Sequence, residues 1–128
     1  MTYQYEAEPK FIRVKATGIV TTKEMLEYVS SVIEDAKIEK NFIEIVDMQH
    51  VSDLIVTYSE LKPFQRMWEK YVEKGCRAVV CYAPTDLSYG TVRMIKSIIL
   101  AKWKTATGLF FVVRSEDELA NKIKEILA

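Results

Sequence analysis

Apolar residues along this chain change their spacing several times, between a period of two and one near 3.6. Tyr3, Tyr5 and Ala7 alternate with polar neighbours, predicting a short first strand ended by Pro9. Residues 11–16 alternate again, with Phe11, Arg13 and Lys15 opposing Ile12, Val14 and Ala16. Pro9 and Lys10 would turn the pair into a hairpin, and the polar side marks a strand near an edge. After Gly18, Thr21 and Glu24 have capping-box spacing and predict a helix start. Met25, Val29, Val32 and Ala36, widened by Leu26 and Ile33, form its apolar stripe.

Residues 42–48 form a β-rich run and predict a central strand. Thr57 and Glu60 repeat the capping-box spacing ahead of a second helix, whose core face holds Leu61, Phe64, Trp68, Tyr71 and Val72. Pro63 is tolerable in its first turns, and Gly75 can supply a left-handed end. Residues 78–82 are nearly all apolar, as in a strand covered on both faces. A third helix opens at Asp86 or Ser88 and reaches about Trp103; residues 109–113 are another fully apolar strand. Ser115 and Glu118 start a last helix carrying Leu119, Ile123, Ile126 and Leu127, with acids early and lysines late to match the helix dipole. The order β-β-α-β-α-β-α-β-α predicts an α/β fold: a mixed, mostly parallel five-stranded sheet with four helices.

The length of 128 residues fits one domain over 1–128. Lys and Arg, 18 together, balance 18 Asp and Glu, so no global field attracts nucleic acid or an acidic membrane. No apolar run approaches the roughly 20 residues of a spanning helix, and residues 1–10 lack the order of a signal peptide. Cys76 and Cys81, read as lying on one strand, would face opposite sides roughly 16 Å apart, too far to bond. Unpaired thiols of this kind fit a cytoplasmic location.

The stretches "FIRVKATGIVTTKE", "FIEIVDMQHV", "GCRAVVCYAPTDLSYGTVRM" and "LFFVVRSEDEL" together resemble the SpoIIAA-like branch of the STAS superfamily, over nearly the full chain. Some relatives in that superfamily are compared with the Sec14 lipid-binding fold. The resemblance implies a SpoIIAA-like domain and, in phosphoswitch members, a hydroxyl at the corner after a strand ending like "VDM". Here "VDM" fits Val46, Asp47 and Met48, and the nearest hydroxyl is Thr57, within Ile55, Val56, Thr57 and Tyr58, without a Gly or an Asp-Ser pair. Thr57 is thus the candidate phosphoacceptor, or alternatively only a helix cap.

Asp47, at a strand end, together with Ser52 and Asp53, is a candidate for ligand or partner binding at the rim of the sheet. Asp86, Tyr89 and Arg93 lie at the same predicted rim, where Tyr89 and Arg93 could hold a carboxylate or phosphate. Gly90, a poor helix former, suggests a close approach there. Met94 and Ile98 give the third helix a second apolar side, read as a homodimer face, an apolar ligand face, or burial under a neighbouring helix. His50, the single histidine, is read as a solvated loop residue without metal spacing.

No nucleotide-binding, zinc-protease or serine-hydrolase motif occurs, so no catalytic residue, metal or cofactor is assigned. The first expectation is a non-enzymatic binding or regulatory module working through protein contacts, as a homodimer. The second is a carrier or sensor of a small apolar or anionic, lipid-like ligand. The third is a phosphoregulated switch resembling an anti-sigma-factor antagonist.

Overall fold

The computed structural model describes the backbone of residues 2–8, and backbone and side chains of residues 10–104 and 106–128. Strands β1 (Thr2–Glu8) and β2 (Phe11–Thr21) are antiparallel. The hairpin turn expected at Pro9 lies partly outside the described residues. Helix α1 (Thr22–Glu34) leads to β3 (Ile43–Ile55), α2 (Pro63–Lys74) to β4 (Ala78–Tyr82), and α3 (Asp86–Leu100) and α4 (Ala106–Leu109) to β5 (Phe110–Val113). Helix α5 (Glu116–Leu127) closes the fold. The sheet runs β1-β2-β3-β4-β5, and its last four strands are parallel. The five expected strands are present. The helices differ in number: besides the four expected, the four-residue α4 and a single 3₁₀ turn (Tyr58–Glu60) occur among the described residues.

The capping box at Thr21 and Glu24 forms as the spacing predicts: Glu24 N–H donates to Thr21 Oγ1, and Thr21 N–H donates to Glu24 Oε1. Ser115 also caps α5, but Glu118 returns its bond to the N–H of Arg114. Gly75 ends α2 at φ +94°, a conformation that favours glycine. The second expected box does not form. Thr57 makes no side-chain cap bond, and only a 3₁₀ turn follows it, because α2 starts at Pro63, which has no N–H to satisfy.

Strand β3 is longer than expected. It continues beyond Met48 to Ile55 beside β2, with register shifts after Lys15 and Gly18. Ser52, Asp53 and His50 therefore lie on an exposed strand extension rather than in a loop.

The sheet has two unlike coverings. Helices α1, α2 and α3 pack on the face carrying Val14, Met48, Val79, Cys81 and Phe110. Helix α5 lies on the other face, where Leu119 and Ile126 pack on Val80, Tyr82 and Val113. Cys76 precedes β4 rather than sitting on it, and both thiols belong to the α1–α3 core, unpaired and buried. Burial pushes both thiols far up, which leaves them inert at neutral pH. No helix among the described residues is long and apolar enough to cross a membrane.

Candidate functional site

Strand β3 places an acid inside the core. Alternation puts Glu44 on the same face as Val46 and Met48, beneath α1 and α2, while Ile43 and Ile45 point the other way. Glu44 is only 3% exposed. The hydroxyl of Tyr28, on α1, donates to its Oε2 at 2.6 Å, and that of Tyr71, on α2, donates to the same oxygen at 2.9 Å. Among the described residues nothing donates to Oε1. Burial lifts the Glu44 carboxyl to about 6, and the two tyrosine hydrogen bonds hold it from rising further. The Tyr71 hydroxyl is pushed well up by burial and by the charge of Glu44.

Glu44, Tyr28 and Tyr71 border a cavity of about 110 Å³ between the sheet and helices α1–α3. The rest of its wall is apolar: Val14, Ala16 and Val46 from the sheet, Trp68 and Phe64 from α2, Ile95 and Ile99 from α3. Among the described residues, no Lys, Arg or His lines it. A dry cavity of about 150 Å³ admits a benzene-sized guest, so the size suits a compact molecule. Met25 and Val29 on α1 and Met67 on α2 line it while remaining half-buried, which sets the thinnest wall at the α1–α2 seam. Unbranched methionines are suited to a movable wall.

A second cluster forms at the carboxyl ends of the parallel strands. Thr85 caps α3 by accepting from Ser88 N–H. Asp86 follows in the first turn and pairs with Arg114, which leaves the end of β5. Arg114 also donates to Pro84 O at 3.3 Å and lies 4.6 Å from the centre of the Tyr89 ring; Arg93 lies 5.6 Å from the same ring. The rim thus brings Asp86, Tyr89 and Arg93 together, around an arginine that sequence reasoning missed.

The remaining candidates do not join one site. Asp47 is level with Tyr82, on the face away from the cavity, and its carboxylate accepts from Gln49 N–H at 2.9 Å, bracing the first bulge. Ser52 is exposed, and Asp53 bonds to Leu54 N–H at 2.8 Å. Thr57 is exposed and tied through its own N–H to Thr22 Oγ1 at 3.3 Å. Gly90 faces open space, so no neighbouring backbone among the described residues approaches it. Met94 and Ile98 are half-buried and line a surface groove with Tyr58, Lys62 and Gln65; Gln65 Nε2 donates to Ile98 O at 2.7 Å. Their second apolar side is therefore partly covered by the chain's own segment around α2.

Glu44 was the other omission. Its signal was present: one acid inside "FIEIV", a stretch otherwise apolar on both faces. An acid at such a position must find donors inside the protein.

No protein-family model matches the chain. No curated protein matches it either. Solved structures do. The anti-sigma factor antagonist SpoIIAA in its unphosphorylated form shares 14% identity with a TM-score of 0.53, covering 96% of this chain and 98% of its own. An uncharacterised protein of the DUF3478 family with a SpoIIAA-like fold, from Shewanella loihica PV-4, shares 16% identity with a TM-score of 0.50, covering 94% of this chain and 90% of its own. The chain has a SpoIIAA-like fold.

Proposed function

We propose that this protein is a non-enzymatic binding module that holds a small, mostly apolar molecule inside its α1–α3 core. The observation carrying this reading is the 110 Å³ cavity with one under-used carboxylate at its edge. A core of this size normally packs without such space, and its apolar wall loses contacts that a guest would restore. The polar end would orient the guest, as few but fixed polar groups do in ligand sites. The fold supports a regulatory role in which occupancy of the core alters the helices around it. The lipid-like option of the sequence analysis is kept in kind but moved in place, from the outer side of α3 to the interior.

Native mass spectrometry of freshly purified protein tests the reading, together with thermal shifts on adding toluene. A retained small molecule, or a concentration-dependent rise in Tm that Val29→Phe abolishes by filling the space, is the expected result. An empty protein that toluene leaves unchanged sinks it.

A second reading, docking of a protein partner at the carboxyl-end rim, is favoured by the Asp86, Tyr89, Arg93 and Arg114 cluster. Its aromatic ring flanked by arginines is the composition enriched at protein interfaces.

A further inference from the structure

Three side chains, Glu44, Tyr28 and Tyr71, make the polar end of the cavity, and both hydroxyl protons are already assigned. Tyr28 and Tyr71 both spend their hydroxyl hydrogens on Glu44 Oε2. An ionised carboxylate has no hydrogen to give. What this carboxylate offers a guest is acceptor capacity, at Glu44 Oε1. Among the described residues, the cavity has no basic side chain to balance a negative guest. Electrostatics points the same way, since a second anion beside a buried carboxylate is repelled in a medium that screens poorly.

We propose, on the ligand-binding reading above, that the guest is a compact apolar molecule headed by a hydrogen-bond donor, an alcohol or an amine, which Glu44 Oε1 accepts from, and that acids are excluded. This narrows the ligand class and removes its anionic half. The chain's own layout fixes the acceptor: one acid on β3, lining the cavity, is held from two sides by α1 and α2. A site built to accept a hydrogen bond discriminates strongly between a guest that donates and one that does not.

The test is a titration of the full-length protein at pH 7.5 with four probes of similar size: toluene, phenol, benzylamine and benzoate, followed by calorimetry. Phenol or benzylamine is expected to bind at least about tenfold more tightly than toluene, with benzoate weakest. Glu44→Gln keeps an oxygen for the two tyrosines but turns an amide NH₂ toward the guest. In that variant the donor advantage is expected to fall by about tenfold while toluene is held as before. Should toluene, phenol and benzylamine bind equally, or benzoate bind as well as they do, the donor requirement is wrong and the cavity reading stands. If none of the four binds the parent protein, both ideas fail together. Binding of toluene alone overturns the donor requirement and leaves a purely apolar guest.

Discussion

Strand β4 is covered on both sides, and the two coverings follow different rules. Toward α5, Val80 and Tyr82 meet Val113, Phe111, Leu119 and Ile126 in a small apolar cluster. Toward α1–α3, Val79 and Cys81 face a much larger core that nevertheless leaves a cavity and holds an acid. One helix laid along a sheet can settle until its side chains interdigitate. Three helices tied by crossovers and caps cannot all approach at once, and the space they leave is where chemistry can be housed. The small cluster packs without a cavity among the described residues, and the large one leaves the space on which the ligand-binding proposal rests.

Trp68→Ala should have the largest effect. Trp68 is buried, lines the cavity and packs edge-on against Phe110, with ring centres 5.9 Å apart. Removal is expected to cost about 3–5 kcal/mol in urea unfolding, while enlarging the space. A loss under about 1 kcal/mol would mean that α2 does not support that wall.

A matched pair of enlargements sharpens the contrast between the two faces. Val80→Phe on the α5 side has no space to enter, and overpacking is expected to cost about 1–3 kcal/mol. Val29→Phe on the α1 side enters the cavity and is expected to leave stability unchanged or raise it by about 0.5–2 kcal/mol. Equal losses in the two variants, measured by urea midpoints, would erase the distinction drawn here.

The acid gives the large core a pH signature that the small one lacks. Glu44 titrates near 4.5 when unfolded and at about 6 when folded, so the native state holds the extra proton between these values. Its contribution to stability is complete below 4.5 and is lost as pH rises through 6, about 2 kcal/mol in all. The groups facing it are Tyr28 from α1, Tyr71 from α2, and the thiols of Cys76 and Cys81. Burial raises Tyr71 and both thiols further, so none of these three titrates in that window. Subtracting the pH dependence of Glu44→Gln from that of the parent should therefore isolate the slope; a flat difference from pH 4.5 to 7 would remove Glu44 from the account.

How far the sequence foretold this arrangement depends on the range of the forces involved. The start of α1 was legible because Thr21 and Glu24 close a local ring of bonds, and Gly75 because one backbone angle demands it. The β-β-α-β order was legible because apolar periodicity records which face meets the core. The extension of β3 was hidden, since Met48, Val51 and Leu54 are buried three apart once bulges shift the register, which reads as a corner. Thr57 and Glu60 had the right spacing for a cap and no helix to cap, because Pro63 set the start instead. The rim was legible in part: Asp86, Tyr89 and Arg93 are close in sequence, whereas Arg114 arrives from β5. The cavity could not be read at all, being a difference between the volumes of residues from seven elements.

The rim offers the smallest effect and the cleanest separation of the two functional readings. Arg114→Ala removes the partner of Asp86, which is 97% exposed, and one cation over Tyr89. Exposed ion pairs and cation–π contacts are each worth up to about 1 kcal/mol, so the urea midpoint should barely move. The cavity residues of α3, Val92, Ile95 and Ile99, point inward from the same helix and keep their contacts. Toluene affinity is therefore expected to be unchanged in this variant. A protein partner that docks at the rim would lose affinity with it, since the arginine also holds Pro84 O and so orders the approach to α3. If Arg114→Ala instead weakens toluene binding, rim and core are coupled through α3, and a guest in the cavity would then bear on whatever docks at the carboxyl ends of the strands.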